Sequence, residues 1–127
     1  MNIVIIEDEI QTARDLRESL ERLRPDFQVK AVIDSIESAM AWFSINESPD
    51  LIFSDIQLGD GLSFEIFKQI TITCPVIFCT AFDEYAVQAF KNNGIDYLLK
   101  PVSDKDLAST LEKMEVLMRS ASKGGNN

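Results

Sequence analysis

The chain has 127 residues and no histidine. That removes every imidazole general base and every Ser-His or Cys-His pair from consideration. Cysteine occurs twice, at Cys74 and Cys79. On one extended strand these would stand about 16 Å apart, too far for a disulfide. Two thiols without an imidazole are also too few ligands for a zinc site, so both read as small core residues. Positive charge is scarce: 12 Lys and Arg face 21 Asp and Glu, a net charge of −9. A domain that grips nucleic acid by neutralising phosphates would be charged the other way. No apolar run nears the roughly 20 residues that span a bilayer, and Met1-Asn2-Ile3 lacks the basic region of a signal peptide. The expectation is a cytoplasmic protein without a membrane contact.

Apolar residues make up 46% of the chain, enough for a globular core, and the length suits one domain. Leu51-Ile52-Phe53-Ser54-Asp55-Ile56 is largely apolar with a carboxylate near its end. Such runs belong to strands buried on both faces, in the middle of a parallel sheet. Asn2 to Ile6 is a second run of this kind and ends in Glu7-Asp8-Glu9. Pro75 to Cys79 ends at Thr80, and Ile95 to Leu99 ends at Lys100-Pro101. Gln28 to Ile33 has a partly polar face and belongs nearer a sheet edge.

Helical spacing fills the gaps. Ile10, Ala13, Leu16, Leu20 and Leu23 form one stripe, stopped by Pro25. A second helix carries Ala39, Met40, Trp42 and Phe43 behind an Asp34 or Ser35 cap. Ser63 is expected to cap a third with Phe64, Ile66, Phe67 and Ile70, after a glycine-containing loop at Gln57 to Gly61. A short helix is expected over Asp83 to Asn92, closed by Asn93-Gly94. The last begins at Ser103 and runs to about Met118. The β-α unit repeats five times, which predicts an α/β fold: a doubly wound five-stranded parallel sheet of order 2-1-3-4-5 with five helices.

In that fold ligands bind beyond the carboxyl ends of the strands, at the switch point between the first and third. Glu7, Asp8 and Glu9, Asp55, Thr80 and Lys100 all fall there. Close carboxylates repel, and a hard divalent cation relieves them. Asp55 could serve as metal ligand or as nucleophile toward a phosphoryl group, with Lys100 and Thr80 to receive the phosphoryl oxygens. Singly, each residue has a plainer reading: acids at a helix start, a turn aspartate, a strand threonine, a solvated lysine. It is their coincidence at four strand ends that points to chemistry.

These residues resemble the receiver domains of two-component response regulators, over residues 2 to about 119. Glu7-Asp8 is similar to the family's acidic pair, Asp55 to its phosphorylated aspartate, Thr80 to its hydroxyl residue and Lys100-Pro101 to its Lys-Pro pair. The resemblance implies a flavodoxin-like fold and a cis bond before Pro101. It implies Mg2+ (or Mn2+) held by Asp8, Asp55 and the backbone carbonyl of Gln57, with Glu7 on the metal's water. It also implies that Tyr97 is the aromatic switch partner of Thr80, remodelling the face of fourth helix, fifth strand and fifth helix. Partners implied are a sensor histidine kinase and, on phosphorylation, a second copy of the chain, through Ala86, Phe90, Tyr97 and the last helix. The segments around Thr80 to Phe90 and Ile95 to Pro101 resemble the LytTR class, in which a DNA-binding domain follows the receiver. That places a receiver at 1–119 and a flexible tail, or the start of a linker to an absent output domain, at 120–127; a solitary receiver is the alternative.

The chain departs from the family pattern in places. The acidic pair is Glu-Asp, Gly59 stands where proline is common, and Ser63 where glycine is common. Gln57 and Phe82 occupy positions that tune phosphoryl lifetime, and neither is a strong acid or base, so slow self-hydrolysis is expected. The rival enzyme, a Mg2+-dependent aspartate-nucleophile phosphatase, needs an acid two residues beyond its nucleophile; Gln57 cannot transfer protons. A flavin- or nucleotide-binding domain would want a glycine- or hydroxyl-rich loop after the first strand, where this chain has three acids. A degenerate receiver used only for binding would lack a site residue, and none is missing.

Overall fold

The computed structural model describes the backbone of residues 1–81 and 94–124 and the side chains of 1–81 and 96–120. Strands β1 (Asn2–Ile6), β2 (Gln28–Ile33), β3 (Leu51–Asp55), β6 (Val76–Thr80) and β7 (Gly94–Leu99) form one sheet in the order β2-β1-β3-β6-β7. All neighbours are parallel. This is the 2-1-3-4-5 order; the numbering shifts because β4 (Gln57–Leu58) and β5 (Gly61–Leu62) form a separate antiparallel hairpin. Helices α1 (Ile10–Leu23), α2 (Ile36–Ile45), α3 (Phe64–Gln69) and α4 (Asp104–Gly124) are the four among the described residues. The helix expected at Asp83–Asn92, with its Asn93 stop, lies outside them.

Strand periodicity divides the core. Ile3, Ile5, Leu51, Phe53, Ile77, Cys79 and Leu98 point to one face, under Ala13 and Leu20 of α1 and Leu107, Leu111 and Met114 of α4. Val4, Ile6, Ile33, Ile52, Val76 and Phe78 point to the other, under Ala39 of α2 and Phe64 and Ile66 of α3. β1, β3 and β6 are therefore apolar on both faces, as their unbroken runs require. Phe53, Phe64 and Phe78 are wholly buried. Each contributes about 1.5–3 kcal/mol through burial, and Phe78 adds edge contacts with Phe64 (5.2 Å between centroids) and Phe67 (5.6 Å). The half-polar β2 sits at the edge.

Local signals explain most boundaries. Ser35 Oγ accepts from Ser38 N–H at 3.0 Å, and Ser103 Oγ from Asp106 N–H at 3.1 Å, two caps that start α2 and α4. α1 ends at Leu23, before Pro25. Three expectations are corrected. The Gln57–Gly61 loop is the β4–β5 hairpin, turned by Gly61 at φ +139. Ser63 makes no side-chain cap: its backbone is already helical (φ −62, ψ −17), not extended, so its Oγ is buried without a partner. The last helix does not stop near Met118 but runs on through Gly124, since Ser120-Ala121-Ser122-Lys123 contains no breaker.

Candidate functional site

Parallel strands present their carboxyl ends on one edge, and the register sets their heights. Ile6 pairs with Ser54, Asp55 with Cys79, and Thr80 with Leu99. Glu7, Asp55, Thr80 and Lys100 thus emerge together. Glu7, Asp55 and Thr80 are buried, Lys100 is half-buried and Asp8 is exposed.

Lys100 sits between the acids. Its Nζ donates to Asp55 Oδ2 at 3.0 Å and to Glu7 Oε1. Asp55 Oδ1 accepts from the N–H of Ile56 at 2.7 Å, and Glu7 Oε2 from the N–H of Asp8 at 3.0 Å. Glu7 Oε2 also accepts from the N–H of Glu9 at 3.5 Å, so each buried carboxylate is fixed by backbone amides and one shared ammonium. Lys100 itself is placed by its own N–H, which donates to Thr80 O at 2.8 Å, and by the cis bond to Pro101. A cavity of about 380 Å³ opens beside these groups, lined by Phe53, Leu16 and Leu107 below and Glu7, Asp55 and Lys100 above.

One ammonium cannot balance two carboxylates. Burial, reinforced by Asp55, pushes Glu7 up to about 7, more than Lys100 pulls it down. Lys100 is pushed above its ordinary value, because its own desolvation is outweighed by the hydrogen bonds it donates to both acids. The cluster has surplus negative charge. One ligand oxygen from each of Glu7, Asp8 and Asp55 lies within 4.8 Å of the others. A compact, oxygen-only set with excess charge suits a small hard cation such as Mg2+ and not a soft one.

A model of the response regulator receiver domain matches residues 3–112. The chain belongs to the response regulator receiver family. The sensory transduction protein LytT of Bacillus anthracis is 34% identical over 116 residues, covering 89% of this chain and 46% of that protein. An uncharacterized response regulatory protein of Vibrio parahaemolyticus is 38% identical over 125 residues, covering 95% and 50%. The chain spans about half the length of these curated relatives. Among solved structures, the response regulatory domain of mrkE from Klebsiella pneumoniae superposes with a TM-score of 0.81 at 26% identity, covering 94% of this chain and 99% of that one. A two-component response regulator from Clostridium difficile gives 0.79 at 27%, covering 93% and 98%. The LytT-type relatives agree with the class that the Thr80 and Lys100 segments resemble.

In receiver domains generally, an acidic pocket binds Mg2+ and a histidine kinase is the interaction partner. Here Glu7, Asp8, Asp55 and Lys100 meet in one cluster. Thr80 stands at the end of β6, next to β3, and Gln57 opens the β4–β5 hairpin two residues beyond Asp55. Tyr97 is half-buried on β7 beside Phe78 and against the α2–α3 side of the core. Phe82, Ala86 and Phe90 lie outside the described residues.

Three arrangements have no signature in the sequence. Asp96 accepts from Thr110 Oγ1 at 2.6 Å and from Lys113 Nζ at 3.3 Å, tying β7 to α4 and holding its carboxyl below the ordinary range despite partial burial. Arg24 grips Glu115 through both its Nε and Nη2 and joins α1 to α4. Asp60 reaches from the hairpin to α2. All three are side chains far apart in the chain, which periodicity cannot pair. Only the Gly59-Asp60-Gly61 turn offered a hint, and it names no partner. Among the described residues no helix is long and apolar enough to cross a membrane.

Proposed function

We propose that Asp55 takes a phosphoryl group from a sensor histidine kinase and that the resulting aspartyl phosphate is a signal. The observation that carries this reading is the Lys100 bridge: one ammonium bonded to both Asp55 and Glu7, with Asp8 alongside. Asp55 attacks phosphorus, its O–P bond forms, and the P–N bond to the donor imidazole breaks. The N–H of Ile56 on Oδ1 fixes the carboxylate, so Oδ2 is the oxygen that faces Lys100. Lys100, 3.0 Å from that oxygen, is placed to receive a phosphoryl oxygen, and the Thr80 hydroxyl is suited to receive another. Asp8, Asp55 and the Gln57 carbonyl would hold Mg2+ or Mn2+, with Glu7 on its water. The cation supplies charge neutralisation for acids and phosphoryl oxygens alike.

The Gln57 amide cannot act as a general acid or base toward an attacking water, which favours persistence of the phosphoryl group over turnover. The output travels through Thr80 and Tyr97 to the face that includes β7 and α4 and controls dimerisation there. The Asp96–Thr110–Lys113 contacts support this, since they tie β7 to α4. The relatives' double length leaves room for a further domain in the whole protein, and the LytTR resemblance suits one that acts on DNA.

Incubation with acetyl phosphate and Mg2+, followed by intact mass measurement, tests the proposal. One added phosphoryl group is expected, lost with Asp55→Asn or a chelator. No uptake by the unmodified protein, where another receiver is phosphorylated, would reject it.

A further inference from the structure

The hairpin beside the acids is too small to hold its own shape. β4 and β5 have two residues each, and two-stranded hairpins in isolation are marginal even when longer. Its base is closed by Ser63 N–H donating to Ile56 O at 2.8 Å, and Leu58 anchors one strand in the core. Its tip is tied elsewhere. The Asp60 carboxylate accepts from the N–H of Ile36 at 2.9 Å through Oδ1 and from the N–H of Glu37 at 3.1 Å through Oδ2. These are first-turn amides of α2 that have no partner within the helix. The positive end of the helix favours the charge, and the two amides hold Asp60 below its ordinary range. The approach is tight: a Cβ on Gly61 would stand 3.1 Å from Ile36 Cδ1, at a φ that disfavours side chains. On the other side, a Cβ on Gly59 would be 4.0 Å from Asp8 Oδ2. The hairpin therefore bridges α2 and the acidic cluster, with Gln57 at its start.

We infer that Asp60 is a positioning residue: by clamping the hairpin tip to α2, it fixes the Gln57 carbonyl over Asp8 and Asp55 and so sets the affinity of the site for a divalent cation. This rests on the phosphoacceptor reading above. α2 has a second cap, Ser35, whose Oγ accepts from Ser38 N–H at 3.0 Å, a bond made within the first turn of the helix. Removing either cap weakens α2, but only Asp60 holds the loop. The two roles are therefore separable.

The measurement is Mn2+ affinity of the whole chain, read from water-proton relaxation, for the unmodified protein, Asp60→Ala, Asp60→Asn and Ser35→Ala. Phosphoryl uptake from acetyl phosphate is followed at low and saturating Mg2+. Asp60→Ala is expected to weaken Mn2+ binding about tenfold, the size typical of groups that orient metal ligands from outside. It should slow uptake at low Mg2+ and recover at saturation. Asp60→Asn, which keeps the shape and one acceptor oxygen, should lose less, and it serves if the alanine variant does not fold. Ser35→Ala should lower urea resistance and leave Mn2+ binding unchanged. Equal Mn2+ affinity in Asp60→Asn, in Asp60→Ala where it folds, and in the unmodified protein would overturn the inference and leave Asp60 as a helix cap only. Absence of Mn2+ binding and phosphoryl uptake in the unmodified protein would overturn the phosphoacceptor reading itself, and this inference with it.

Discussion

Raising the pH of the metal-free protein should destabilise it, and Glu7 is the reason. Its folded value is about 7 against an ordinary 4.5, so between these limits the folded state holds a proton that the unfolded chain has released. Stability then falls as pH rises, and the loss is complete once pH passes the folded value. Few other groups compete in that window. The chain has no histidine. Asp60, Asp96 and Asp104 have lowered values, so their stabilising contributions are already present above the ordinary carboxyl range and do not change there. Lys100 is raised and loses its contribution only at strongly alkaline pH. From about pH 5.5 to 7, at about 1.4 kcal/mol per unit, the Glu7 contribution amounts to about 2 kcal/mol. Urea unfolding with a chelator present, at about pH 5.5 and about pH 8, compares the unmodified protein with Glu7→Gln. The amide fills nearly the same space and does not titrate. The stability difference should shift by about 2 kcal/mol in favour of the variant on going to the higher pH. Parallel pH curves, or a shift in favour of the unmodified protein, would refute the reasoning: the Lys100 pair would then outweigh the burial.

Further perturbations probe other parts of the account. Phe53→Ala removes a side chain that is 1% exposed in the α1–α4 core and should cost about 3–5 kcal/mol in urea unfolding. Cys79 is buried with its thiol pushed up to about 12, and Cys74 is half-buried at about 11. A chromogenic disulfide reagent near neutral pH should therefore react slowly with the native protein and at once with two thiols in urea. The Arg24–Glu115 pair is only partly buried, so a double-mutant cycle should give a coupling of about 1 kcal/mol or less that shrinks with salt.

The fold was legible because burial on both faces leaves unbroken apolar runs, and β1, β3 and β6 are such runs. Gln28 and Lys30 give β2 a half-polar face, which suits the sheet edge that it occupies. The meeting of the acids and Lys100 is legible in sequence because a parallel sheet gathers strand ends in one place. Features set by tertiary geometry were not legible. Ser63 looks like a cap in sequence, yet its φ and ψ already belong to the helix. Gly59 and Gly61 suggest a flexible loop, but Asp60 borrows two amides from a helix 24 and 23 residues away. Ser120 to Lys123 is polar, yet serine, alanine and lysine all continue a helix, and α4 runs past Met118 through Gly124.

The central claim is that Asp55, among the acids at the strand ends, is the one that carries the phosphoryl group. After treatment with acetyl phosphate and Mg2+, borohydride reduces an aspartyl phosphate to homoserine, and peptide sequencing by mass locates it. The account predicts homoserine at residue 55 and at neither residue 8 nor residue 60. Homoserine elsewhere, or an unreduced Asp55 in protein that has gained phosphoryl mass, would contradict it.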